Sequence, residues 1–180
     1  MLQIAMLGEH MRPGALLRLA VLLAAAVLCN EAAFGQPTWR QVQAKDGSFT
    51  VEMPGEPKYS LVEKSPFAWL IGTQFYDLTE PPTYYSIQVT TGSEPPDLRG
   101  AVDDAERQLQ ADRLTWTDIR RTTHQGFNAV DAAGVGEGMT TLRILWVAKG
   151  NTLFNLVYVR VGEGGAADAD RFINSFRLTK

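Results

Sequence analysis

The chain has 180 residues, carries 17 Lys and Arg against 20 Asp and Glu for a net charge of −3, and contains one cysteine. A mildly acidic chain of mixed signs lacks the basic footprint that phosphate backbones demand, which excludes nucleic acid and anionic membrane surfaces as partners. One cysteine alone excludes an internal disulfide and a thiolate metal cluster.

The first element is a targeting segment. Arg12 and Arg18 precede a wholly apolar stretch, Leu19 to Cys29, the charged and apolar regions of a secretory signal, with Met11 as a second available start. Eleven helical residues at ~1.5 Å each reach about half of a ~30 Å hydrocarbon core, which favours cleavage over a membrane anchor. Ala33 and Gly35 bracket Phe34 in a small-x-small pattern, so residues 1–35 are expected to be removed and the mature chain to begin at Gln36. The competing expectation is a lipoprotein acylated on Cys29, against which Leu28 stands where such sites carry a small residue. Export makes the mature protein periplasmic or secreted, with no membrane span. Residues 36–180 keep the net charge of −3 and contain no cysteine, so stability rests on packing. Their length suits one domain.

Trp39 to Gln43 and the alternation Phe49, Val51, Met53, joined by the turn Lys45-Asp46-Gly47-Ser48, predict a hairpin that Pro54-Gly55-Glu56-Pro57 ends. Tyr59 to Val62 predicts a short strand. Leu70 to Leu78 and Tyr84 to Thr91 predict two more, separated by Glu80-Pro81-Pro82. Asp97 is the expected cap of a first amphipathic helix, with Leu98, Ala101, Val102, Ala105 and Leu109 on its apolar stripe. Arg99 with Asp103, and Asp103 with Arg107, stand four apart on its outer side and predict exposed ion pairs.

Four strand-like runs follow: Trp116 to Thr123, Phe127 to Ala133, Leu142 to Ala148 and Leu153 to Val161. The last two are apolar on both faces, joined by the turn Lys149-Gly150-Asn151, and a sheet of that kind needs cover on both sides. Ala169, Phe172, Ile173 and Phe176 predict a second helix that ends the chain. The expected fold class is α+β: an antiparallel sheet flanked by two helices in three layers, an α-β-α sandwich.

Trp39, the run from Asp46 through Phe49 and Met53 to Pro57, and the run Arg171-Phe172-Ile173-Asn174-Ser175-Phe176 together resemble small exported bacterial proteins of the PsbP/Mog1-like fold group, many of unknown function. The resemblance spans about residues 39–178 and implies an α-β-α sandwich and a non-enzymatic accessory or binding role. No functional residue of the photosystem or Ran-binding members has a counterpart in it. Read by themselves, these motifs do architectural work: core filling, strand ending and helix docking.

His124 is the one histidine after residue 35, so a histidine metal cluster is excluded and any Ser-His-Asp arrangement must run through it, with Asp118 or Asp131 as acid. No G-x-S-x-G elbow occurs, and a surface or turn histidine is the plainer expectation. Asp103 with Asp104, and Asp168 with Asp170, lack calcium-loop spacing and read as solvated helix ends. The glycines 134, 136 and 138 precede a strand rather than a helix, so they read as a hairpin connection and not as a phosphate loop. Phe67, Trp69, Phe75, Tyr76, Tyr84 and Tyr85 form the aromatic-rich stretch, with core packing as the default. Trp69, Tyr76, Tyr84 and Tyr85, together with His124, are the candidate binding residues should some of them face outward.

These features predict a non-catalytic, exported domain that binds an envelope protein or component, with no cofactor and no metal. A carrier of a small apolar ligand is the second expectation, marked by a solvent-connected apolar cavity. A hydrolase built on His124 is the third.

Overall fold

The computed structural model describes residues 38–63, 70–111, 114–136 and 140–179. Residues 1–35, Cys29 among them, and Phe67 and Trp69 lie outside the described residues. The elements in chain order are β1 (Arg40–Gln43), β2 (Phe49–Met53), β3 (Lys58–Val62), β4 (Leu70–Glu80), β5 (Thr83–Gly92), α1 (Leu98–Ala111), β6 (Leu114–His124), β7 (Phe127–Gly136), β8 (Thr140–Lys149), β9 (Thr152–Arg160), α2 (Ala166–Ser175) and β10 (Arg177–Leu178). They form two antiparallel sheets, a seven-stranded one in the order β3-β4-β5-β9-β8-β7-β6 and a three-stranded one in the order β1-β2-β10. Strands dominate, and the α+β class fits.

The strands at the centre of the large sheet bury both faces because their sequences are apolar on both. Leu142, Ile144 and Trp146 of β8, with Val157 and Val159 of β9, pack with Ala105 and Leu109 of α1. Leu145 and Val147, with Leu156 and Tyr158, pack with Phe172 and Ile173 of α2 and with Phe49, Val51 and Met53 of β2. The second face is therefore covered by a helix together with the small sheet, where the sequence suggested one sheet alone. β10 is the strand responsible: Arg177 pairs with Thr50 and Leu178 with Phe49, so the chain does not end on its last helix. Phe176 leaves the helical stripe, takes extended backbone after Ser175 and stays buried.

Asp97 caps α1 as its position suggested, its side chain accepting the Arg99 N–H at 3.0 Å and its carbonyl that of Ala101 at 3.0 Å. Among the described residues the ion pair on this helix joins Arg107 to Asp104, three residues apart, rather than residues at the predicted spacing of four. α2 begins on Gly165, whose φ of 88° lies in the left-handed region and whose carbonyl accepts the Ala169 N–H at 2.9 Å.

The two motifs behind the family resemblance meet in space. Ser175 Oγ accepts the Glu52 N–H at 2.8 Å and donates to the Phe172 carbonyl at 2.9 Å, while Arg171 donates to the Glu52 carboxylate at 2.7 Å and lies 4.6 Å over the Trp39 ring. Beneath them Phe49 and Phe176 stand 5.5 Å apart, and Tyr85 meets Trp39 and Phe172 edge-on at 5.9 and 5.4 Å. Such contacts contribute about 0.5–1.5 kcal/mol each beyond simple burial. Residues far apart in sequence thus build one docking seam for the small sheet and α2.

Candidate functional site

Of the candidate aromatic residues, Tyr76, Tyr84 and Tyr85 are placed, and they follow the default expectation of core packing, while Trp69 lies outside the described residues. Tyr76, Tyr84 and Tyr85 are 3%, 7% and 2% exposed. Tyr84 and Tyr85 point to opposite faces of β5, but both faces are covered, so neither reaches solvent. Two of these hydroxyls have internal partners: Tyr84 donates to Asp77 at 2.9 Å, and Tyr76 donates to Gln74 at 3.0 Å while accepting the Lys45 N–H at 2.9 Å. Burial, and then the Asp77 charge, push the Tyr84 hydroxyl well above its ordinary pKa. Burial does the same for Tyr85, and for Tyr158 up to about 12.

His124 ends β6 half-buried. Its Nε2 donates to the Phe176 carbonyl at 3.0 Å and its ring lies 5.4 Å from that of Phe176. Burial, aided by the positive charge of Arg177, holds its pKa below the ordinary value against the opposing pull of the Phe176 bond. Of its proposed acid partners, Asp118 pairs with Arg120 and Asp131 with Arg143 and Arg120.

The other acidic candidates are spread apart. Asp170 is exposed, as expected of a solvated helix position, and pairs at 3.0 Å with Arg143, which also forks onto both oxygens of Asp131. Asp168 sits in the first turn of α2, where the helix dipole favours it. Gly134 and Gly136 lie within β7, and Gly136 pairs with Thr140 of the antiparallel β8, consistent with a hairpin connection there. Among the described residues no three His, Cys, Asp or Glu side chains group to hold a metal ion, and no helix is long and apolar enough to cross a membrane.

What the fold does assemble is a cleft of about 450 Å³ between two turns, the β1–β2 turn and the β8–β9 turn. Val89 and Phe154 form its apolar floor, Thr91 and Thr152 place hydroxyls along it, and Asp46, Ser48 and Lys149 rim it. Register explains the floor. Thr152 pairs with both Lys149 and Thr91, so the three form a row across the end of the large sheet. Phe127, under the Lys149 ammonium at 5.1 Å, continues that row to its own partner His124.

The rim charges are opposite. Partial burial pushes the Asp46 carboxyl up, but hydrogen bonds from Ser48 and Gln74 outweigh it, and the group stays ionised below the usual carboxylate range. Lys149 has no carboxylate partner among the described residues. The cleft thus presents an anchored anion, a cation resting on an aromatic face, hydroxyls and a small apolar floor. Sequence reading took Lys45 to Ser48 and Lys149 to Asn151 as turns and missed their convergence. The signal was there only as two polar turns with unlike charges, which acquire meaning once the topology is known.

No family profile matches the chain, and no curated protein matches it. Solved structures do. The solution structure of cyanobacterial PsbP (CyanoP) from Synechocystis matches with a TM-score of 0.50 at 13% identity, over 84% of this chain and 99% of that one. A Bacteroides thetaiotaomicron crystal structure matches with a TM-score of 0.40 at 16% identity, over 78% of this chain and 48% of that one. A Pseudomonas aeruginosa protein of unknown function matches at 0.33 and 14%, over 68% and 83%. At 13% identity the likeness to the cyanobacterial PsbP structure is one of fold, and that fold is PsbP-like.

Proposed function

We propose that this chain is an exported accessory domain of the bacterial envelope, layered α-β-α, that acts by binding a protein or envelope component rather than by catalysis. The observation that carries the reading is the cleft: ionised Asp46 and Lys149, which has no carboxylate partner among the described residues, rim one set of hydroxyls and an apolar floor. The PsbP-like fold and the signal-like N-terminal sequence support it. The carrier reading draws support only from Val89 and Phe154, a small floor inside a charged rim. Against the hydrolase reading stands the hydrogen bond that commits His124 Nε2 to the Phe176 carbonyl.

Site-specific photo-crosslinking in the native envelope tests it. A photoreactive residue at Thr152 is expected to trap a partner, and one at Val135, exposed on the remote end of β7, is not. Lys149→Glu reverses the cation on the rim and is expected to abolish the Thr152 adduct. Equal trapping at both positions, or an adduct indifferent to Lys149→Glu, would refute cleft binding.

A further inference from the structure

The C-terminal strand is held by few bonds, and they converge. The Phe176 carbonyl accepts two donors, His124 Nε2 at 3.0 Å and Arg177 Nη1 at 2.7 Å. Gln125, in the left-handed region at φ 53°, accepts the Leu178 N–H on Oε1 at 3.0 Å. Thr179 then donates its N–H to the Ser48 carbonyl at 3.0 Å and its hydroxyl to Gly47, both in the turn that walls the cleft. β10 itself spans two residues. The β6–β7 turn thus clamps the chain end, and the chain end clamps the cleft wall.

We propose that this arrangement is an acid-released latch: the C-terminal strand stays closed while the His124 imidazole is neutral, and opens toward solvent when His124 gains a proton. In the closed state an imidazolium would share one carbonyl with the Arg177 guanidinium, two cations on one oxygen. On β8, Lys149 stands over the ring of Phe127, the strand partner of His124. Carboxylates on the covering elements are engaged elsewhere, Asp46 by Ser48 and Gln74, and Glu52 by Arg171. The Phe176 ring against the imidazole withdraws the water that would stabilise the charge. With its closed-state pKa held below 6.5, His124 takes up the proton more readily in the open state. Latch stability is therefore full above pH 6.5 and is lost as pH falls from there through the closed-state pKa. This holds whatever fills the cleft.

The test combines an NMR titration of the His124 ring with amide hydrogen exchange at Leu178 and Thr179, corrected for intrinsic rates, from neutral to mildly acidic pH. Expected is a loss of protection at both amides that tracks the His124 titration, by roughly tenfold for each unit of its measured depression. His124→Gln keeps a neutral side-chain donor and is expected to keep protection constant across the range, and Arg177→Gln to shrink the loss. Protection in the wild type that ignores His124 protonation, or an equal loss in His124→Gln, would overturn the proposal.

Discussion

Gly165 is the position where fold and packing make the sharpest demand on one residue. It starts α2 at φ 88°, and an added Cβ would overlap Arg160 Cδ and Tyr158 Oη. Tyr158 cannot withdraw, since it is fully buried, and Arg160 is tied to the Glu163 carbonyl at 3.0 Å and to Thr83 Oγ1 at 3.1 Å. Gly165→Ala therefore combines left-handed strain of about 1–2 kcal/mol with overpacking of about 1–3 kcal/mol. Its neighbour Gly164 has φ 81° and open space within 4 Å of where a Cβ would stand, so Gly164→Ala incurs the strain alone. In urea unfolding with unchanged m-values, Gly165→Ala is expected to lower stability by about 2–5 kcal/mol and Gly164→Ala by about 1–2 kcal/mol. Equal losses in the two variants would refute the close approach of α2 to Tyr158.

Ser175→Ala removes the acceptor of the Glu52 N–H and is expected to cost about 1–3 kcal/mol in the same assay, with Ser175→Thr costing less. Phe172→Ala empties a fully buried ring site between α2 and Tyr85, and a loss of roughly 3–5 kcal/mol is expected by thermal or chemical unfolding. Alkaline titration followed by phenolate absorbance is expected to show Tyr84, Tyr85 and Tyr158 resisting ionisation while the protein is folded. Because their folded pKa values are raised above 10, that part of the stability is full below pH 10 and lost as pH rises through the raised values.

Much of the fold was legible because period and punctuation agreed. The two-faced apolar runs of β8 and β9 required cover on both sides, and α1 supplied it on one face and α2 with the small sheet on the other. β10 was hidden for a physical reason: two residues carry no periodicity, and Arg177 and Leu178 pair only because β2 offers an edge beside the end of α2. The tyrosines of β5 show the limit of alternation as a guide to exposure. Opposite faces mean one buried and one wet residue only when one face is bare, and the strand from Thr83 to Val89 is buried throughout. The cleft was illegible because Asp46 and Lys149 come from turns about a hundred positions apart in the chain, joined by strand order rather than by sequence spacing.

Native mass spectrometry of the protein recovered gently from the cells that make it, wild type beside Lys149→Glu, tests cleft binding most directly. The expected result is a chain beginning at Gln36 that carries a noncovalent mass lost on refolding and absent from Lys149→Glu. A wild-type chain that is bare, or an added mass that Lys149→Glu retains in full, would contradict it.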